Sequence, residues 1–214
     1  MRFTLLAAGL LLAVPAAVRA DDDKPPKGFT ALFNGTDLSG WKATGKAEVW
    51  KADKGVIAVE KGGGGYLMTE KEFGDFELRL EYKLTKGANS GVAIRTPMAG
   101  DPAYVGMEIQ LIDDEGWPGK LAAYQHTGSI YDVVPAAKTN NKPIGEWNHM
   151  AIVCKGSKVK VEINGAVVVD ADVADAKDAT KNRHPGLARH KGHIGFQSYN
   201  TRVEFRNIAI KEEK

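Results

Sequence analysis

Eight segments of this chain alternate apolar and polar residues with period two. They are residues 48–60 (EVWKADKGVIAVE), 75–84 (DFELRLEYKL), 90–96 (SGVAIRT), 106–113 (GMEIQLID), 146–156 (EWNHMAIVCKG), 158–173 (KVKVEINGAVVVDADV), 193–200 (HIGFQSYN) and 202–211 (RVEFRNIAIK). Successive side chains of a strand point to opposite faces, so each segment offers one apolar face and one polar face. Glycine-rich or charged turns separate the segments, and Asn164-Gly165 marks a tight hairpin. Outside residues 1–20 there is no helical stripe, although ADAKDATKN, 174–182, has the composition for a turn or two of helix. Many short strands without crossover helices predict an all-β fold, a jelly-roll sandwich of two antiparallel sheets.

Residues 1–20 read as an export signal: Arg2 is the positive start, 3–14 an apolar stretch, Pro15 a break and Val18, Arg19, Ala20 a small-residue cleavage site. The mature chain is expected to begin at Asp21, outside the cytoplasm, with DDDKPPK (21–27) as a charged, disordered leader and 28–214 as one domain. No cysteine follows the cleavage site to carry a lipid, and no later apolar run is long enough to span a bilayer. Of 29 basic residues, Arg2 and Arg19 leave with the signal, so 27 face the 27 acids. A net charge near zero argues against nucleic acid as a partner. The single cysteine, Cys154, sits in an apolar run and reads as a buried hydrophobe. KGGGGY, 61–66, reads as a flexible turn, since no helix follows it to make a phosphate cradle.

Several longer stretches carry a resemblance. FTALFNGTDLSGW, DFELRLEYKLTKGANSGVAIR, GMEIQLIDD, HTGSIYD, KPIGEWNHM, INGAVVV and GHIGFQSYNTRVEFRNIAIK occur in the order seen in the 3-keto-disaccharide hydrolase domain family. The match runs from Phe29 to Lys211. The resemblance implies a concanavalin A-like jelly roll, exported by bacteria, that acts on glucosides already oxidised at C3.

The alternation says which side chains such a fold offers to a carbohydrate. In GMEIQLIDDEG, Met107, Ile109 and Leu111 belong to the core, so Glu108 and Gln110 face out. On the same rule Val92 and Ile94 point in and Arg95 out, while Gln197 pairs with Tyr199 on one face. Carboxylate, amide, guanidinium and phenol suit sugar hydroxyls, and Trp117 beside Pro118 offers a stacking wall. Trp41, Trp50 and Trp147 are assigned to the core or its rim. The plainer alternative for Glu108 and Arg95 is a solvated cross-strand ion pair.

A C3 carbonyl acidifies the proton on C2 and leaves the glycosidic oxygen β to itself, so a base can expel the aglycone and water can then add back. That route needs a base, an electrophile for the enolate oxygen and an acid for the leaving group. Glu108 is the candidate base, Arg95 or a bound metal the electrophile, and His126 or Tyr131 the acid. Arg95, Gln110, Asp113, Trp117, Gln197 and Tyr199 are the candidate substrate contacts. No cofactor is demanded, although Asp113, Asp114 and Glu115 are hard oxygen donors suited to a divalent cation. His184, His190 and His193 fall in a basic stretch without ligand spacing and are expected to face solvent.

Two other functions compete. The run from Glu108 to Asp113, E-x-Q-x-x-D, resembles the strand on which retaining jelly-roll glucanases carry nucleophile and acid, two carboxylates about 5 Å apart that act on ordinary glycosides. Here, however, Gln110 stands where that pattern has its middle carboxylate. A noncatalytic carbohydrate-binding module would instead favour exposed aromatic platforms and needs no base. Aglycone, linkage and oligomeric state are not encoded legibly.

Overall fold

The computed structural model describes residues 24–138 and 140–213. The expected export signal, 1–20, lies outside the described residues. Among the described residues there are thirteen strands: β1 (Thr30–Ala31), β2 (Trp41–Ala43), β3 (Trp50–Asp53), β4 (Val56–Val59), β5 (Tyr66–Thr69), β6 (Phe76–Leu84), β7 (Asn89–Thr96), β8 (Met107–Ile112), β9 (Asn148–Lys155), β10 (Lys158–Ile163), β11 (Ala166–Asp172), β12 (His193–Gln197) and β13 (Val203–Glu212). Two short helices, α1 (Pro102–Val105) and α2 (Asp178–Arg183), sit in the connections. The expected turns of helix at 174–182 correspond to α2.

All the pairings between strands are antiparallel. One eight-stranded sheet runs β11-β10-β9-β6-β13-β4-β3, with β1 pairing the far half of β13; a five-stranded sheet runs β2-β5-β12-β7-β8. The Asn164-Gly165 hairpin joins β10 to β11, and both residues have positive φ, 49° and 80°, as a tight two-residue turn between twisted strands requires.

The core fills the space between the sheets. Leu78, Tyr82, Ile152, Val161 and Phe205 come from the larger sheet, and Trp41, Leu67, Val92, Ile94, Ile109 and Phe196 from the smaller. The sheets meet where the rings of Phe196 and Phe205 stack at a centroid distance of 4.0 Å. Cys154 is fully buried among them, and burial pushes its thiol up to about 12. The leader is described from Lys24 onward as an exposed stretch whose turn is closed by the Phe29 N–H donating to the Pro26 carbonyl at 2.9 Å.

β5 is not among the eight alternating segments. It is four residues long, follows the KGGGG run and is buried on both faces, so no polar alternation announces it. This strand borders the site.

Candidate functional site

The open face of the five-stranded sheet has a low floor. Register places Gly195 of β12 opposite Ala93 of β7, and Gly91 and Ala93 of β7 opposite Gln110 and Glu108 of β8. Three neighbouring positions therefore carry a methyl group or less. Larger side chains fold over them, Glu108 over Gly91 and Met68 over Gly195, and beside them opens a cavity of about 210 Å³ lined by Asn89, Asp101, Tyr104, Glu108, Gln110, Tyr131, Gln197 and Tyr199, with Ala103.

Glu108 and Tyr66 meet across this floor. They stand on β8 and β5, three strand intervals apart, a span of roughly 14 Å at ~4.8 Å per interval. Each leans inward, and the Tyr66 hydroxyl donates to Oε2 of Glu108 at 3.0 Å. The Tyr66 oxygen in turn accepts from Nε2 of Gln197, its cross-strand neighbour, at 2.8 Å. Oε1 of Glu108 lies over Gly91. Only 3% of Glu108 is exposed, and burial is the main reason its carboxyl is pushed up to about 8; the Tyr66 bond pulls it down, and the charge of Asp101 pushes it further up. Burial, then the charge of Glu108, raises the Tyr66 phenol well above its ordinary value. A carboxyl poised near neutral pH, with one oxygen held by Tyr66 and the group lining a cavity, is equipped to move a proton.

The walls have other origins. Asp101 caps α1, accepting from the Ala103 N–H at 3.1 Å, and Pro102 occupies the first turn, so a single helical turn delivers Tyr104 to the rim. Residues 127–131 run beside β8: the backbone N–H groups of Gln110 and Tyr131 donate to the carbonyls of Ser129 and Glu108, both at 2.9 Å, which sets Tyr131 at the cavity. Gln110 is buried, and its Oε1 accepts from the Leu111 N–H at 3.2 Å, so its NH₂ is the arm left for a ligand. Tyr199 is 52% exposed, with Trp117 tilted against it at 6.4 Å. Of the expected contacts, Glu108, Gln110, Tyr131, Gln197 and Tyr199 line the cavity, and Trp117 stands at its rim.

Arg95 is a correction. Between Ala93 and Thr96 the β7–β12 register slips, Arg95 takes a positive φ of 49°, and the alternation breaks there. Its side chain is 1% exposed and points to the other sheet, donating to Asp75 at 2.8 Å, to the Gly74 carbonyl at 3.2 Å and to the Gly156 carbonyl. It pairs with Asp75, not with Glu108, and does not reach the cavity. Asp113 is a second correction: past the end of β8, its carboxylate accepts from the N–H groups of Gly87 at 2.7 Å and Gly116 at 2.9 Å. It holds two turns and is not among the residues lining the cavity.

His126 is a third. It precedes the segment that flanks β8, whose Thr127 hydroxyl already bonds the last residue of that strand, so the ring falls beyond the cavity and pairs with Asp114 at 2.9 Å. His184, expected in solvent, is instead completely buried between α1 and Asp132. His190 is exposed as expected, while His193 is half-buried, its Nδ1 donating to the Thr69 carbonyl at 2.8 Å. Asp113, Asp114 and Glu115 diverge, and among the described residues no three His, Cys, Asp or Glu side chains gather as a metal site requires.

Sequence reasoning misses Tyr66, Asn89, Asp101 and Tyr104. Asp101 and Tyr104 carry a local signal, the Asp-Pro start of a helix turn. Tyr66 has none, because its role depends on a partner across three strands.

Fold and cavity together define a jelly-roll sandwich with a small polar cavity on the open face of its five-stranded sheet. The 3-keto-alpha-glucoside-1,2-lyase-like domain family matches residues 28–211, and the chain belongs to that family. A protein of Bacteroides thetaiotaomicron named 3-keto-disaccharide hydrolase is 30% identical over 86% of this chain and 78% of its own length. A crystal structure from Parabacteroides distasonis, provisionally named a glycosyl hydrolase, superposes with a TM-score of 0.78 at 27% identity, covering 92% of this chain and 99% of that one. The carbohydrate-binding module CBM66 of Bacillus subtilis shares the fold alone, at 13% identity and a TM-score of 0.55 over 84% of this chain and 98% of its own.

Proposed function

We propose that this protein is an exported enzyme that cleaves the glycosidic bond of 3-keto-glucosides, including 3-keto-disaccharides, by elimination followed by addition of water. The observation that carries the reading is Glu108: a buried carboxyl, fixed by Tyr66, with its ionisation moved to about 8, on the floor of a cavity open to a ligand. The volume of about 210 Å³ is below the ~300–1,000 Å³ of sites for drug-sized ligands and suits a single sugar ring. The family membership supports the substrate class.

In this scheme Glu108 takes the proton from C2, and the C–H electrons form the enolate with the C3 carbonyl. The enolate collapses to expel the glycosidic oxygen from C1, leaving a double bond between C1 and C2, and the departing oxygen takes a proton. Water then adds at C1 while C2 regains a proton, so the net change is hydrolysis. With Arg95 engaged elsewhere, the NH₂ of Gln110 and the side chain of Asn89 are the neutral donors on hand for the enolate oxygen. Tyr131 is the wall residue suited to protonate the leaving group. The buried carboxyl of Glu108 would be a poor partner for Asp113 in double displacement, since the latter is turned to backbone N–H groups. Asp101 is the one other carboxylate of the cavity lining, and it gives an ordinary glycosidase reading its only foothold.

Incubating the purified protein with a 3-keto-disaccharide and with its unoxidised parent, each with and without a chelator, tests the proposal. Release of the aglycone from the keto sugar alone is the expected result. Comparable turnover of the parent would replace this reading with the glycosidase one, and loss of activity with chelator would bring in a metal electrophile.

A further inference from the structure

Among the described residues three buried side-chain polar atoms have no hydrogen-bond partner: Trp50 Nε1, Ser198 Oγ and Gln197 Oε1. Of these residues only Gln197 lines the cavity. A buried acceptor without a donor costs free energy that a ligand's hydroxyl can recover.

The orientation of this amide is set by its neighbours. Tyr66 has one hydroxyl proton, and when Glu108 is ionised, as the base must be, that proton goes to Oε2 of Glu108 at 3.0 Å. The Tyr66 oxygen therefore has only lone pairs for Gln197, and Nε2 donates to it at 2.8 Å. Turning the amide over would set oxygen against oxygen with no proton between them. While Glu108 is ionised, the arm left for a ligand is thus the carbonyl oxygen, which can only accept.

Building on the functional reading above, we propose that Tyr66 locks Gln197 as an acceptor-only reader of one sugar hydroxyl, so that the site selects glucosides presenting a hydroxyl donor at that position. A fluorine in place of the hydroxyl has nearly the same size but donates nothing, so the lock rejects it. The same Tyr66 that orients the base thereby fixes how the ring is recognised, and one hydrogen-bonded chain, Gln197 to Tyr66 to Glu108, sets the substrate over the carboxylate.

The test is binding, followed by ligand-observed NMR titration, of unoxidised methyl glucoside and its deoxy and deoxyfluoro analogues at C2, C4 and C6. These sugars lack the C3 carbonyl and are not turned over. At one position, removal or fluorination is expected to weaken binding to the full chain by about 10- to 100-fold. Gln197→Leu should weaken the parent by a similar factor and show no further loss with that analogue. Tyr66→Phe frees the amide to turn, so the gap between hydroxyl and fluorine should narrow while the protein still binds the ring. Losses that multiply independently at every position would overturn the proposal and leave the functional reading standing. If none of the sugars bound the wild-type chain, the proposal would fall, while the functional reading is decided separately by aglycone release from the 3-keto-disaccharide.

Discussion

Gly91 lies directly beneath the carboxylate of Glu108: a methyl group placed on it would come within 1.8 Å of Oε1. The collision is with Oε1, Cδ and Cγ of the Glu108 side chain and not with backbone, and Gly91 has no positive φ to defend. Gly91→Ala should therefore fold with little loss of stability yet push the carboxylate off its place beside Tyr66. Turnover of a 3-keto-glucoside is expected to drop by about 10²-fold or more, the scale set by a displaced catalytic group. Unfolding midpoints and kcat measured side by side check this, and full activity in the variant would remove Glu108 from the reaction.

The ionisation of Glu108 links activity and stability with opposite signs. A base must be charged, so kcat/KM should rise with pH and level off above about 8. Folding responds the other way. Below the ordinary value of 4.5 the carboxyl is protonated in both states and costs nothing. As pH rises from there the unfolded chain loses the proton while the folded one keeps it, and stability falls until both are ionised near 8. Each tenfold difference in proton affinity between the two states is worth about 1.4 kcal/mol, so the full loss is on the order of 5 kcal/mol. Glu108→Gln should lower turnover by about 10²- to 10⁴-fold and gain stability relative to wild type as pH rises through this window. Denaturant unfolding of both proteins at several pH values provides the comparison.

Removing the Tyr66 hydroxyl takes away a bond that favours the charged carboxylate. In Tyr66→Phe the inflection of the pH–rate profile should accordingly move upward, and kcat at neutral pH should fall. An inflection left in place, or moved down, would mean that this bond does not support the ionised form.

The sandwich is legible in the sequence wherever a strand has one wet face and one dry face. Met107, Ile109 and Leu111 lie in the core, and Glu108 and Gln110 on the other face, as the alternation requires. The rule fails where it has no purchase. β5 is short and buried on both faces, which hides Tyr66. The bulge at Arg95 reverses the side of the sheet a residue faces, and no residue type announces a bulge. His184 sits in a run of basic residues that looks solvated, but α1 and the turn at Asp132 close over it from distant parts of the chain. The floor glycines are readable as residues but become a floor only when β7, β8 and β12 are set side by side.

His184 ties together two walls of the cavity. Its Nδ1 donates to the Ala103 carbonyl at 3.0 Å, its Nε2 lies 3.0 Å from the carboxylate of Asp132, and its ring stacks on Tyr104 at 4.9 Å. Asp132 also meets Arg183 at 3.2 Å and follows Tyr131 directly, so one buried ring supports both tyrosines. His184→Ala leaves a hole and an Ala103 carbonyl without its donor, while Asp132 keeps Arg183, with an expected cost of about 2–4 kcal/mol. At temperatures where the variant stays folded, KM should rise more than kcat falls, because the walls and not the base are disturbed. His184→Gln, which keeps a donor, should recover part of both, and thermal unfolding alongside steady-state kinetics separates the two effects.

Arg95 offers the sharpest contrast between what alternation expects and what the fold does with the residue. Its guanidinium is nearly inaccessible, pairs with a half-exposed Asp75 and ties the bulge of β7 to the start of β6 and to the turn between β9 and β10. Removing it takes the donor from two carbonyl oxygens and the cation from Asp75, which keeps the Gly156 N–H at 3.0 Å. The partial exposure of Asp75 moderates the ~3–5 kcal/mol typical of breaking a buried pair, so Arg95→Ala should cost about 2–4 kcal/mol. Arg95→Lys keeps the charge but not the fork, so it should recover only part of this. Neither change should alter KM for a 3-keto-glucoside once measured on folded protein, since Arg95 is not among the residues lining the cavity. A raised KM in Arg95→Lys at unchanged unfolding temperature would restore Arg95 to the substrate, as simple alternation expects.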